Sequence, residues 1–283
     1  MNKTVIITPA FNKFEMATKP FLQSLYQYTD ENSFDLIIID NGSTDGTVEY
    51  LENFAKEHSN IRLILNKENL GYSKANNQGI NLALEGNYKY IGLLNNDILF
   101  TPDWLKNTLE VFELDKQLGM VSPRDAGRPK IFKKKLTSDN YISHYENYLK
   151  RFKKPFKYML EPLFSCVIVK REVIEKIGLM DENFTPAFWE DQDYCLRALY
   201  AGFSLATSNI SFVFHNHSTT SSGVNSEVYK RNEQYFYQKH PLGKWIWEHK
   251  RSNVIKDIKN YIVEGLESVS YTHLRAHETR SNL

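Results

Sequence analysis

A few acidic positions in this 283-residue chain stand where a carboxylate can do chemistry rather than only meet solvent. Asp40 closes the apolar run LIII at 36–39 and opens the turn DNGSTDGT, whose glycines and hydroxyls offer free N–H and O–H groups. A carboxylate there can accept hydrogen bonds from a nucleobase or ribose edge; equally, Asp40 or Asp45 can simply cap the helix that follows. Asp97 ends YIGLLNND, a second apolar run leading into Asn95 and Asn96. A hard divalent cation takes oxygen ligands and often needs only one or two carboxylates beside substrate phosphates, so Asp97 is the candidate metal ligand; an ordinary turn aspartate is the alternative. Glu190, Asp191 and Asp193 follow Phe188 and Trp189 at the start of an amphipathic stretch. Acids suit a first helical turn on dipole grounds alone. Three carboxylates beside two aromatic rings can also raise one another's pKa and yield a base for a hydroxyl, with Arg197 four residues past Asp193 to orient the turn.

Two further clusters belong with these. Asn76 and Asn77 lie in NLGYSKANNQGINLAL, where adjacent asparagines are poor helix formers and so serve a contact, either with a ligand or as a brace of the loop. His215 and His217 end the run FVFHNH and alternate in direction along a strand, so at most one faces a site, where it can complete a metal or meet a diphosphate.

Positioning such groups requires a scaffold that brings strand ends together. From Thr4 to Phe112 apolar runs at 5–7, 36–39, 61–65 and 90–94 alternate with amphipathic stretches at 14–28, 47–58, 73–84 and 104–112. That rhythm predicts repeated βα units, hence an α/β fold with a mostly parallel Rossmann-like sheet flanked by helices. Every run ends in a polar cluster (8–12, 40–45, 66–69 and 95–97), and ligands of open α/β sheets bind at the carboxyl edge of the strands. The span 163–178 predicts a strand running into a short helix that stops at Gly178, and residues 228–262 predict an aromatic-rich helix broken at Pro241–Gly243.

The expected organisation is one catalytic domain over 1–222 that contains a basic insertion or lobe at 124–160, a helical extension at 223–269, and an appended non-native or disordered tail at 270–283. Between Arg124 and Lys157 eleven Lys or Arg face three acids, which is either a solvated face or a guide for an anionic acceptor or membrane surface. Lys and Arg number 35 against 34 Asp and Glu, so no overall field draws the chain to nucleic acid. Cys166 and Cys195 stand alone, outside zinc spacing and disulfide frameworks. No leader-like start and no run of 18 apolar residues appear, so the expected setting is the cytoplasm.

In this order ITPAFN, DNGSTDGT, NLGYSKANNQG, LLNND, PDWL and WEDQDYCLRA resemble the family 2 glycosyltransferases of GT-A fold, especially their rhamnosyltransferase-like bacterial branch, over roughly residues 4 to 222. The resemblance implies an inverting transfer from a nucleotide diphosphate sugar to a hydroxyl of a glycan or lipid-linked acceptor, assisted by Mn2+ or Mg2+, in bacterial surface polysaccharide synthesis at the inner face of the membrane. Pro9, Asn12, Asp40 and Ser43 would hold the nucleoside, and Asn76, Asn77 and Asn96 would approach the donor. Asp97 would bind the metal with His215 near it, and Asp191, paired with Glu190, would be the base. The usual Asp-x-Asp metal motif is replaced here by Asn95, Asn96 and Asp97.

Two other readings compete. A sugar-phosphate nucleotidyltransferase would want a glycine-rich phosphate loop near the N-terminus, and ITPAFNKF has no glycine. A non-catalytic nucleotide- or carbohydrate-binding module would not need the intact acids at 190–193.

Overall fold

Strict alternation of apolar side chains to both faces builds the central strand of the sheet. In the computed structural model, β1 (Thr4–Ala10) sends Val5 and Ile7 to one face and Ile6 to the other, while β2 (Phe34–Asp40) splits Ile37 and Ile39 from Leu36 and Ile38 in the same way. Each such side chain contributes about 1.5–3 kcal/mol when fully buried, so both faces demand helical cover. On one face lie α1 (Lys19–Tyr28), α2 (Thr47–Glu57) and α4 (Trp104–Leu114), through residues such as Phe21, Leu51 and Trp104. On the other lie α3 (Tyr72–Glu85), α5 (Arg171–Ile177) and α6 (Glu190–Tyr200), through Ala75, Ile80, Val173 and Tyr194. Helix α3 sits close because Gly79 has no side chain: a Cβ there would stand 2.4 Å from Ile7 Cγ2.

The structure describes residues 4–125, 140–143, 145, 150–216, 226–241 and 243. Among them the sheet runs β3-β2-β1-β4-β8-β6-β9-β5, with β7 (Phe156–Tyr158) paired to β9. The remaining strands are β3 (Ile61–Leu65), β4 (Tyr90–Leu94), β5 (Ile98–Phe100), β6 (Leu118–Asp125), β8 (Cys166–Lys170) and β9 (Ser204–His215). The first four strands are mutually parallel, as the βα rhythm predicts. Beyond β4 the sheet becomes mixed: β8 is antiparallel to β4 and β6, β9 is parallel to β6, and β5 and β7 are antiparallel to β9. This α/β sheet flanked by helices agrees with the fold that the motif resemblance implies. The strand–helix passage at 166–177 ends at Gly178, whose φ is 78°, as expected. The stretch 14–28 forms a π-helical turn, Phe14–Thr18, before α1 rather than one continuous helix.

The chain divides into two compact units, Met1–Asn232 and Glu233–Leu283. Helix α7 (Ser226–Lys239) runs across that division; within the second unit Phe236 packs against Tyr237 and His240. Among the described residues no helix is long and apolar enough to cross a membrane. Most of the basic segment, His217 and the stretch from residue 244 onward lie outside the described residues.

Candidate active site

The carboxyl edges of β2, β1 and β4 lie side by side, because Ala10 pairs with Asp40 and Leu93 with Ile7. The turns that leave this edge carry most of the candidate residues. Asp40 is fully buried, and its Oδ2 accepts the amides of Gly42 (3.1 Å) and Ser43 (2.9 Å). Among the described residues nothing hydrogen-bonds Oδ1. A buried carboxylate oxygen left open in this way is an acceptor awaiting a ligand. Gly42 is required by the turn: its φ is 84°, and a Cβ would come within 2.8 Å of the Glu68 backbone. Asn12 clamps the turn from the β1 side. It has a φ of 52°, donates its own amide to Ser43 Oγ (2.7 Å) and accepts Thr44 N at Oδ1 (2.8 Å). Asn12 and Ser43 therefore fix the shape of the turn through each other, while Pro9 lies within β1 opposite Ile39.

Asp97 and His215 form the second centre. Antiparallel pairing of Ile98 with His215 brings His215 Nε2 to 3.1 Å from Asp97 Oδ1, and Asn216 N donates to Asp97 O at 3.0 Å. The exposed fractions are 1% for Asp97 and 9% for His215, so the pair is set into the edge rather than displayed on it. Asp125, at the end of β6, accepts the His215 amide at 3.3 Å and fixes this strand end. A carboxylate beside an imidazole fits a small divalent cation. Among the described residues no group of three His, Cys, Asp or Glu side chains could enclose one, so ligand oxygens and water would complete the sphere.

The third centre is the first turn of α6. Glu190 is buried, no hydrogen bond reaches its Oε2, and its pKa is raised well above the ordinary 4.5, first by burial and then by the neighbouring Asp191. Burial and the neighbouring acid thus favour the protonated form of Glu190. Asp191 is half-buried and accepts the Gln192 amide at 2.9 Å. Asp193 belongs to a different task. It pairs with Arg197 (2.9 Å), whose remaining N–H groups cap the carbonyls of Ile177 and Leu179.

Tyr72, the first residue of α3, is a further group beside these centres. Its phenol pKa is raised by burial and then by Glu190, Asp191 and Asp97 in turn, so one hydroxyl lies within electrostatic reach of all three acids. Only a signal that an aromatic residue opens α3 beside the asparagines was available to find it. Asn76, four residues on, is fully buried; its Nδ2 donates to Tyr72 O at 3.0 Å and its Oδ1 has no hydrogen-bond partner among the described residues.

Asn77 and Asn96 make contacts within the protein. Asn77 spends both amide hydrogens on Met180 O and Glu182 Oε1, each at 2.9 Å, and accepts Met180 N. It braces the 180–182 loop and has no N–H left for a donor. Asn96 Nδ2 is engaged by Thr18 Oγ1 at 2.9 Å, which joins the Asp97 turn to the π-helical turn. Asn41, not anticipated, joins the β2 turn to the α3 loop through Asn69, Asn66 and Leu70. A cavity of 210 Å³ lined by Asp35, Arg62, Glu85 and Tyr88 lies at the opposite, amino edge of the sheet and contains none of these groups.

With this geometry in view the comparisons are decisive for the family. The family model Glycosyl transferase family 2 matches residues 5–178. The chain belongs to glycosyl transferase family 2. It is 22% identical over 223 residues to Uncharacterized protein y4gI of Sinorhizobium fredii, an alignment covering 74% of this chain and 24% of that protein. It is 25% identical over 242 residues to a dolichyl N-acetyl-alpha-D-glucosaminyl phosphate 3-beta-D-2,3-diacetamido-2,3-dideoxy-beta-D-glucuronosyltransferase of Methanococcus voltae, covering 81% of this chain and 71% of that one. The chain thus spans about a quarter of the first relative's length and most of the second's. Among solved structures, the mannosyltransferase PcManGT of Pyrobaculum calidifontis, in complex with GDP-Man and Mn2+, aligns with a TM-score of 0.59 at 15% identity over 96% of this chain and 80% of that one. At that identity the likeness speaks for the fold.

Proposed function

We propose that this chain is an inverting glycosyltransferase that moves a sugar from a nucleotide diphosphate donor to an acceptor hydroxyl in glycan synthesis. The observation that carries this reading is that Asp40, with an open buried oxygen, and the Asp97–His215 pair, 3.1 Å apart, follow neighbouring parallel strands on one carboxyl edge of the sheet. In this reading Asp40 accepts from the base or ribose, and the clamped turn of Pro9, Asn12 and Ser43 shapes the nucleoside pocket. Asn76 meets the donor. Asp97 and His215 would hold a divalent metal, Mn2+ or Mg2+; when bound, that ion would neutralise charge on the leaving group.

Asp191 takes the proton from the acceptor hydroxyl. The acceptor oxygen bonds to the anomeric carbon as the bond from that carbon to the diphosphate oxygen breaks, and the nucleoside diphosphate leaves on the opposite face with inversion. Glu190, whose raised pKa favours its protonated form, limits the negative charge beside that oxygen.

The finer assignment is to the rhamnosyltransferase-like bacterial branch, with a hexosyl or deoxyhexosyl donor on uridine or deoxythymidine diphosphate and a glycan or lipid-linked acceptor at the inner face of the membrane. Family membership, the Methanococcus voltae relative and the Mn2+-bound mannosyltransferase support the class of reaction. Incubation with a panel of nucleotide sugars and Mn2+ or Mg2+ tests it: release of nucleoside diphosphate that stops on chelation is expected. No release and no nucleotide binding across the panel would reject it.

A further inference from the structure

The turn that delivers Asp191 to the site is in a conformation its own residues do not favour. Phe188 and Trp189, both bulky, have φ values of 81° and 74°, in the left-handed region that such residues rarely enter. Trp189 is also the residue from which α6 starts, so the direction of that pair sets where Glu190 and Asp191 point. A backbone in this state persists only where its surroundings over-determine it.

Those surroundings come from the amino-terminal half of α7. Asn232, 1% exposed, donates from Nδ2 to the carbonyls of Ala187 (2.9 Å) and Phe188 (3.1 Å). The Arg231 guanidinium donates to Asn232 Oδ1 through Nε (3.1 Å) and Nη2 (3.0 Å), which fixes the amide orientation, and also donates to Thr185 O. Tyr229 lays its ring against both strained residues, with centroids 5.7 Å from Phe188 and 5.6 Å from Trp189. From the opposite side the Tyr72 amide takes Pro186 O at 2.9 Å. Four consecutive carbonyls, 185 to 188, are therefore held by residues remote in sequence: three by Arg231 and Asn232, and one by the first residue of α3. Pairing of this completeness is more than a surface loop needs.

We propose that Arg231 and Asn232 form a positioning clamp that holds the Phe188–Trp189 turn in its left-handed state and so aims Asp191 at the acceptor hydroxyl. The inference rests on the reading of Asp191 as the base. Neither residue touches a substrate; each acts through the turn. Because Tyr72 N shares the turn, the clamp also keeps the α3 loop and the acidic turn in one register.

The test uses the full chain with Asn232→Ala, with Lys230→Ala on the exposed side of α7 as control, and three readouts. Hydrogen exchange at the amides within 186–193, of which Pro186 has none, should rise about ten-fold or more in Asn232→Ala while β1 and β2 keep their protection. Turnover should fall roughly 10- to 100-fold, the scale of a misplacement of about 1 Å. The Kd for a nucleoside diphosphate with Mn2+ should stay within about two-fold, since no donor contact changes. Lys230→Ala should move none of the three. Unchanged exchange at 186–193, or faster exchange with full turnover, overturns the clamp. If β1 loosens as well, Arg231→Lys replaces Asn232→Ala; it keeps the charge and loses the fork, and the same outcomes decide. A wild-type protein inert toward every nucleotide sugar would refute the functional reading, and the exchange at 186–193 would still decide whether the clamp exists.

Discussion

Asp40→Asn should weaken nucleotide binding without unfolding the turn, and the structure fixes which way the new amide must face. The amides of Gly42 and Ser43 both need an acceptor where Asp40 Oδ2 now stands, so the asparagine oxygen is forced into that place. Its NH2 then occupies the position of Oδ1, the buried oxygen that lacks a hydrogen-bond partner among the described residues. An acceptor becomes a donor toward a nucleobase imide N–H. Leaving such a group unpaired costs about 1–3 kcal/mol, or roughly 5- to 150-fold in Kd. The turn itself loses charge assistance on two hydrogen bonds, about 2–3 kcal/mol together. That is within the roughly 5–15 kcal/mol of a typical domain, so the variant should fold with a lowered melting temperature. Calorimetric titration of both proteins with uridine and deoxythymidine diphosphates in Mn2+ measures the effect. Equal Kd in the variant and the wild type would refute the assignment of Oδ1 to the nucleoside.

Other outcomes follow from the same geometry. Asp191→Asn should lower turnover by about 10²- to 10⁴-fold, the usual worth of a general base, with nucleoside diphosphate affinity unchanged; full turnover in the variant rejects the role. Glu190 has a raised folded-state pKa, so the stability linked to its proton is complete below the ordinary 4.5 and is lost as pH climbs through the raised value. Glu190→Gln should therefore gain on the wild type as pH rises, and denaturant midpoints that run parallel from acid to alkaline pH would contradict this. Gly42→Ala should cost about 2–5 kcal/mol, combining the left-handed penalty for an alanine with displacement of the Glu68 backbone; chemical denaturation checks it.

Where the sequence was informative, period and chemistry agreed. Runs such as LIII followed by a polar turn predict covered strands that end at a shared edge: the runs at 61–65 and 90–94 coincide with β3 and β4, those at 5–7 and 36–39 lie inside the longer β1 and β2, and β3, at the end of the sheet, is only partly covered. The mixed extension of the sheet was not legible, because the pairing of a three-residue β5 with β9 depends on contacts over a hundred residues apart, as between Ile98 and His215. The asparagines show a second limit. Asn76 and Asn77 are adjacent and alike in sequence, yet a 100° rotation per residue sends one back onto the Tyr72 carbonyl and the other into the 180–182 loop. Composition likewise gave no warning that Phe188 and Trp189 take left-handed backbone angles, since that state is imposed by partners 40 residues away at Tyr229, Arg231 and Asn232. Asp193, read with its acidic neighbours, serves as the anchor of Arg197.

The central claim is that a nucleoside diphosphate and its metal occupy the edge between Asp40 and the Asp97–His215 pair. Crystals grown with uridine or deoxythymidine diphosphate and Mn2+, and measured for the anomalous signal of manganese, test it directly. The manganese peak is expected beside Asp97 and His215, with the base against Asp40. A nucleotide and metal bound elsewhere, for instance in the amino-edge cavity by Asp35 and Arg62, would contradict it.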